Sequence, residues 1–357
     1  MTTADRRIVR LASDLGLPHD KRNRAGVREY AFDRFEDLLA ETALEPGSPD
    51  DLQRVVAAEL DVQLERLDAT ADVRRLAEEY ASGFPGLAER LRQEFVEGDT
   101  EGLTLQRPRP DPRLRRYLAI VDARGRKAYR SYFSEWHELT HLLVWPEQLE
   151  LEGVRRTPPK QQRQKDPVET VVDSIAGELA FYDPFFVPRL ENAIEETGTL
   201  DFDAVEIARQ AFSEAASFYG AARAAVRAFD RPACFVRVEQ RLKKAQRRRL
   251  SSSQGELELG VEDEPPDPPL RLVDFWANDA TEGSPLQLHQ HMRVPERSVL
   301  HEVHDSPHSQ TRSRLEDQSW WETSGKGPYP PLPIRVEATR RGQWVYGLIQ
   351  IDGAESG

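Results

Sequence analysis

The chain has 357 residues, 38% hydrophobic and 31% charged, a balance that supports a sizeable core under a well-solvated surface and suggests two or three domains. A formal charge of −13 argues against a nucleic-acid binder that uses its whole surface, and the single cysteine, Cys234, excludes an intrachain disulfide framework or a multi-cysteine zinc ribbon. No apolar run approaches the length a bilayer requires, and the first residues lack an apolar stretch of the secretory kind, so a cytoplasmic protein without membrane contact is expected.

From Ala31 the pattern is helical, with Phe32, Phe35, Leu38 and Leu39 on one face, until Pro46-Gly47 breaks it. Ser48-Pro49-Asp50-Asp51 opens a second helix, Ser48 as N-cap and Pro49 at the first helical position, with an apolar stripe of Leu52, Val55, Val56 and Leu60. Val62 and Leu64 alternate with polar residues, which predicts a short strand over 61–67. Helical periodicity returns over 71–95, and a second short strand is predicted over 102–106. After the proline-rich residues 107–112, Tyr117-Leu-Ala-Ile-Val121 reads as a buried strand, with a turn at 122–125 and a returning strand over 127–129.

A helix is predicted over 131–144, followed by a polar loop through Lys165. Asp166-Pro167 opens the next helix, whose stripe is Val168, Val171, Val172, Ile175, Ala176 and Leu179, and Pro184 ends it. Residues 202–229 read as a long Ala-rich helix or a pair, and residues 233–248 as another. Arg237, Arg241, Lys243, Lys244 and Arg247 to Arg249 form a basic run, and an acidic, proline-rich stretch follows at 262–269. That shift marks a linker over 251–269. Beyond Pro269 the pattern turns to short alternating strands, ending in a hairpin of 334–339 and 344–351 around Arg341-Gly342.

The most informative residues are Trp136-His137-Glu138-Leu139-Thr140-His141, an H-E-x-x-H sequence inside a predicted helix. Residues four apart share a helix face, so His137 and His141 can present imidazole nitrogens to one ion. Two imidazoles suit Zn²⁺, and a catalytic zinc takes a third protein ligand and keeps an open position for water. Glu138 is placed to take a proton from that water without being a ligand. Solvated histidines on an amphipathic helix are the alternative, and a third ligand on a following helix decides against it. Glu169 lies 169 − 141 = 28 residues after His141, on the first turn of the Asp166-Pro167 helix. Asp173 is four residues later on the same face, where it can hold the second ring nitrogen of a histidine. Glu169 also stands where a capping-box glutamate belongs, and Glu178 is a reserve candidate.

Taken together, these residues resemble the core of the ImmA/IrrE family of zinc metallopeptidases. The family's Arg-x-x-Phe-x-x-Ala-His-Glu-Leu-Gly-His stretch is matched from Arg130 and Phe133 through His141. Its Glu-x-x-Ala-Asn-x-Phe-Ala-x-x-Leu-Leu-x-Pro pattern is followed by Glu169-Thr-Val-Val-Asp-Ser-Ile-Ala176-Gly-Glu-Leu179, with Phe185-Phe-Val-Pro188 resembling its ending after a short insertion. The resemblance covers residues 30 to 190, with an insertion over about 70–100. Trp136 and Thr140 stand where a small residue and a glycine are usual, and Val172-Asp173 where Ala-Asn is usual; none of these removes a ligand. The bulk of Trp136 and Thr140 bears on substrate preference.

The expected architecture is therefore α+β: a zincin-like metallopeptidase core over 1–195 with a small sheet and the H-E-x-x-H helix, a helical and helix-turn-helix-like region over 196–250, the linker, and a mainly β domain over 270–357 that senses or binds a partner. The expected metal set is Zn²⁺ on His137, His141 and Glu169, with Asp173 behind His137 or His141 and Glu138 as the catalytic residue. The resemblance implies that the substrate is a protein, a helix-turn-helix transcriptional repressor in stress response or mobile-element control. The rival is a non-proteolytic regulator with a structural zinc.

Weaker signals remain. The basic run can touch phosphate or an acidic partner, although a solvated helix face explains it equally well. His289, His291, His301, His304 and His308 crowd into twenty residues, and on a strand His289 and His291 would share a face with Arg293, which raises a second metal site. Trp276, Trp320, Trp321 and Trp344 are expected to form the core of the C-terminal domain, and Cys234 to be a buried, unreactive thiol. Since no catalytic residue follows Glu169, a chain ending near Gly255 is expected to fold and keep its metal.

Overall fold

The computed structural model describes residues 3–18, 23–43, 45–81, 85–97, 100–107, 114–145, 153–156, 166–242, 267–306, 308, 310–321 and 329–353. These comprise eleven α-helices and two β-sheets, an α+β arrangement. The chain forms two compact units, Met1–Arg189 with Arg209–Gly220, and Leu190–Ala208 with Ala221–Gly357. No described helix is long and apolar enough to cross a membrane.

In the first unit the helices are α1 (Thr3–Asp14), α2 (Asn23–Glu41), α3 (Pro49–Glu59), α4 (Thr70–Ala81), α5 (Pro85–Arg92), α6 (Ser131–Val144), α7 (Pro167–Leu179) and the start of α8 (Asp183–Thr197). The strands are β1 (Val62–Leu67), β2 (Thr100–Gln106), β3 (Tyr117–Asp122) and β4 (Gly153–Arg156), in the order β1-β3-β2-β4. β1 runs parallel to β3, while β2 is antiparallel to β3 and β4. β3 is central and buried along its whole length, as its unbroken apolar run requires. Ser48 caps α3 by accepting from the Asp51 amide, with Pro49 following as expected.

The described residues of 71–95 are helical as expected, in more than one piece: α4 ends at Ala81 and α5 starts at Pro85, because a proline belongs at a helix start rather than its interior. Two local expectations fail in this unit. Residues 127–129 are a 3₁₀ turn, not a strand. Lys127 is drawn back onto the Thr100 carbonyl at 2.9 Å and the Asp122 carboxylate at 3.0 Å, which closes a turn. α7 ends at Leu179, so Pro184 lies in the first turn of α8 rather than stopping α7.

The second unit has the remainder of α8, α9 (Phe202–Phe212) and α10 (Phe218–Ala228), whose helices cross the boundary in sequence. Its sheet contains β5 (Ala233–Gln240), β6 (Leu270–Ala277), β7 (Thr311–Asp317), β8 (Pro333–Arg341) and β9 (Trp344–Ile351), all antiparallel in the order β6-β5-β9-β8-β7. α11 (Val299–Asp305) lies on one face, where Leu300 meets Gly347 and Val236. On the other face Phe202 packs edge-on against Phe235, and Gln350 donates to the Leu200 carbonyl at 2.6 Å. The C-terminal hairpin turns at Gly342, whose φ of 60° is the left-handed region that glycine tolerates.

The expected helix over 233–248 is strand β5 across its described half. Cys234, Val236 and Val238 alternate onto the α11 face while Phe235 faces Phe202, a period of two that the neighbouring alanine-rich helices obscure. The expected helical region thus ends at Ala228. Residues 243–249 of the basic run and 251–266 of the linker lie outside the described residues. Arg237 packs over Trp344 at 4.3 Å with Asp274 at 2.9 Å, so this member of the basic run belongs to the sheet. Only Trp321 of the four tryptophans is fully buried; Trp276 is 40% exposed, with Arg223 stacked on its ring. His289 and His291 lie in a turn, His291 with φ of 72°, rather than on a strand.

Candidate metal centre

α6 carries the H-E-x-x-H residues and is buried on almost every side. Its flank against α2 is filled by Trp136, fully buried and edge-on to Phe35 at 6.2 Å. Leu139, Leu142 and Leu143 are buried with it, each adding roughly 1.5–3 kcal/mol through burial. Thr140 turns its hydroxyl back to the Trp136 carbonyl at 2.7 Å. Trp136 and Thr140 are therefore core residues that hold the helix in place.

His137 and His141 fall on one face, their Nε2 atoms 3.0 Å apart. α7 crosses α6 and brings Glu169 to them, with Oε2 3.2 Å from His137 Nε2 and Oε1 3.7 Å from His141 Nε2. Ligand atoms bonded at about 2.0–2.1 Å to a tetrahedral ion lie roughly 3.3 Å apart. Two imidazole nitrogens and one carboxylate at these separations fit a single ion, and among the described residues this is the one cluster that can hold a metal. Neither His301, His304 and Asp305 nor the other C-terminal histidines form a second.

The surrounding groups suit that fit. Asp173 Oδ1 stands 3.0 Å from Nδ1 of His137, one turn along α7 from Glu169, on the side of the ring away from Nε2. Burial alone would raise the Glu169 carboxyl, but the hydrogen bond to His137 and the charges of His141 and His137 outweigh it and hold it below the usual glutamate range. It is the ionised form that ligates. Trp145 stacks on His141 with its ring plane within 6° and its centroid 5.4 Å away.

The capping alternative for Glu169 gives way. Asp166 caps α7 itself by accepting from the Val168 amide at 3.1 Å, while the Glu169 carboxylate reaches the histidines. Glu178, the reserve candidate, is tied to Arg28 of α2 through Nε at 3.0 Å and takes no part.

Glu138 is fully buried and lies outside the three-residue cluster, against β2. Thr104 donates to its Oε2 at 2.6 Å, and Gly102 faces it. Sequence reasoning missed both residues. The signal available was a glycine and a threonine two apart on a short predicted strand, hence on one face, but nothing in the sequence links that strand to the helix.

No protein-family model matches the chain, and no curated protein matches it.

Proposed function

We propose that this protein is a zinc-dependent metalloendopeptidase with a zincin-like core, similar to the ImmA/IrrE family, that cleaves a peptide bond in a protein partner. The observation that carries the reading is the convergence of His137, His141 and Glu169 from two helices, with Glu138 beside them but outside the set. A closed structural zinc takes four protein ligands, whereas three leave a position open. Bound Zn²⁺ supplies a Lewis acid for a carbonyl oxygen and lowers the pKa of a water to about 7. The chain's own residues do the rest. His137, His141 and Glu169 hold the ion, and Asp173 orients His137. Glu138 takes a proton from the attacking water and hands it to the leaving amine.

The substrate class follows from the family resemblance: a helix-turn-helix transcriptional repressor, in stress response or mobile-element control. The second unit selects or senses that partner, because every residue assigned to the chemistry lies in the first.

The test pairs metal analysis with a quenched fluorogenic peptide library on wild type and Glu138→Gln. Glutamine keeps the size of the side chain but cannot accept the proton, so the variant should hold zinc at the wild-type ratio and lose cleavage by roughly 10²-fold or more. A variant as active as wild type sinks this mechanism. A wild-type protein that binds zinc through a fourth protein ligand and cleaves nothing supports a structural site instead.

A further inference from the structure

We infer that Thr104 is a positioning residue for Glu138, and that Gly102 is required beside it because the carboxylate occupies the space of a side chain there. The inference rests on the reading of Glu138 as the proton acceptor and concerns what holds it. A glutamate that is not bound to the metal has three torsions to fix, and a working carboxylate must stay within about 0.5 Å of its productive place.

β2 supplies both constraints. Thr104 Oγ1 donates to Oε2 at 2.6 Å, within the short range of a hydroxyl bonded to a carboxylate, and both side chains are fully buried. Two residues earlier on the same face of the strand, a Cβ built on Gly102 would fall onto Oε1, and would lie 3.0 Å from Cδ and 3.2 Å from Cγ. The carboxylate is thus clasped by a hydroxyl on one oxygen and by bare backbone under the other. The shelf itself is rigid, since Gly102 and Thr104 pair with Val121 and Ala119 of the central strand β3. Strand β2 therefore serves the metal-bearing helix with two side-chain choices 34 and 36 residues upstream of the glutamate, as 138 − 104 and 138 − 102.

The experiment uses full-length, zinc-loaded protein with Thr104→Val, Thr104→Ser and Gly102→Ala. Valine keeps the shape and removes the donor; serine keeps the donor. With Thr104→Val, the crystal structure should show the Glu138 carboxylate displaced by more than about 0.5 Å. On the peptide that wild type cleaves best, kcat should fall about tenfold or more with KM within about twofold, since the loss is in orientation rather than in binding. Thr104→Ser should restore both position and kcat, and Gly102→Ala should displace the carboxylate while the threonine remains. Zinc content should be unchanged throughout. A carboxylate that stays in place in Thr104→Val, or a serine variant as impaired as the valine one, overturns the inference. If valine prevents folding, Thr104→Ala carries the same comparison. A wild type that cleaves nothing, or a fully active Glu138→Gln, defeats the proteolytic reading, and the crystallographic comparison still decides what positions Glu138.

Discussion

Asp173 places a carboxylate oxygen 3.0 Å from Nδ1 of His137, while Glu169, one turn earlier on the same helix, meets Nε2 of the same ring at 3.2 Å. One helix thereby addresses both sides of a single imidazole. The two acids are not equivalent: Glu169 is placed to ligate an ion with the two histidines, whereas Asp173 reaches only the ring.

Metal affinity should rank accordingly. Glu169→Ala removes a direct bond and should release zinc most readily. Asp173→Ala should cost about 10–100-fold in affinity or activity, the usual effect of losing a partner behind a ligating histidine. Glu178→Ala should leave zinc binding near wild type, because Glu178 pairs with Arg28 and stands outside the cluster. Competition with a chromophoric chelator ranks all three, and equal affinity for Glu169→Ala and wild type would return Glu169 to the role of a helix cap.

The second prediction concerns Cys234. It is fully buried on β5, and burial pushes its thiol up to about 12, so almost no thiolate exists at pH 8. A disulfide-exchange reagent should label native protein orders of magnitude more slowly than protein in denaturant. Labelling at equal rates would place β5 at the surface.

A third prediction follows from Glu337 on β8. Its carboxylate accepts from the Phe202 amide at 2.8 Å, yet burial, with Asp201 and Asp203 nearby, pushes it up to about 7, against an ordinary 4.5. A carboxyl whose folded value exceeds its unfolded one binds more protons when folded. Its contribution to stability is complete below about pH 4.5 and is lost as pH rises through 7. Glu337→Gln should remove this slope, flattening the pH dependence of unfolding between pH 5 and 8 by at most about 3 kcal/mol relative to wild type. Denaturant unfolding at a series of pH values measures it; parallel curves for the two proteins would show that Glu337 titrates normally.

Much of the site is legible in the sequence, and the reason is local. His137, Glu138 and His141 are fixed to one another by helical spacing, and Asp166-Pro167 announces where α7 begins, so Glu169 and Asp173 could be placed on one face of a known helix. Strands β1, β2 and β3 were also readable, being short runs with their own turn residues. Thr104 and Gly102 were not, because their role exists only once β2 lies against α6. Strand β5 was misread for a related reason: Ala233-Cys-Phe-Val follows two alanine-rich helices, and its strand character comes from hydrogen bonds to β6 and β9, the former 30 and more residues later and the latter about 110.

That misreading reverses the expectation for truncation. A chain ending near Gly255 keeps His137, Glu138, His141 and Glu169, but it also keeps β5 and discards both of its neighbours. β5 lies between β6 and β9, and Ala233, Cys234, Phe235 and Val236 are fully buried in the full-length protein. Cutting at Gly255 bares two unpaired strand edges and the apolar face that met α11, a template for association between chains. A chain ending at Ala228 lacks that strand. The longer truncation should therefore be the worse behaved, aggregating on expression, while the shorter one, with the same metal set and no orphan strand, is recovered in a larger soluble fraction and, because fewer of its chains aggregate, with more zinc per chain. Sedimentation, soluble yield and zinc content of the two truncations decide it. A monomeric chain ending at Gly255 that unfolds at the wild-type temperature would mean that β5 does not depend on the sheet in which it lies.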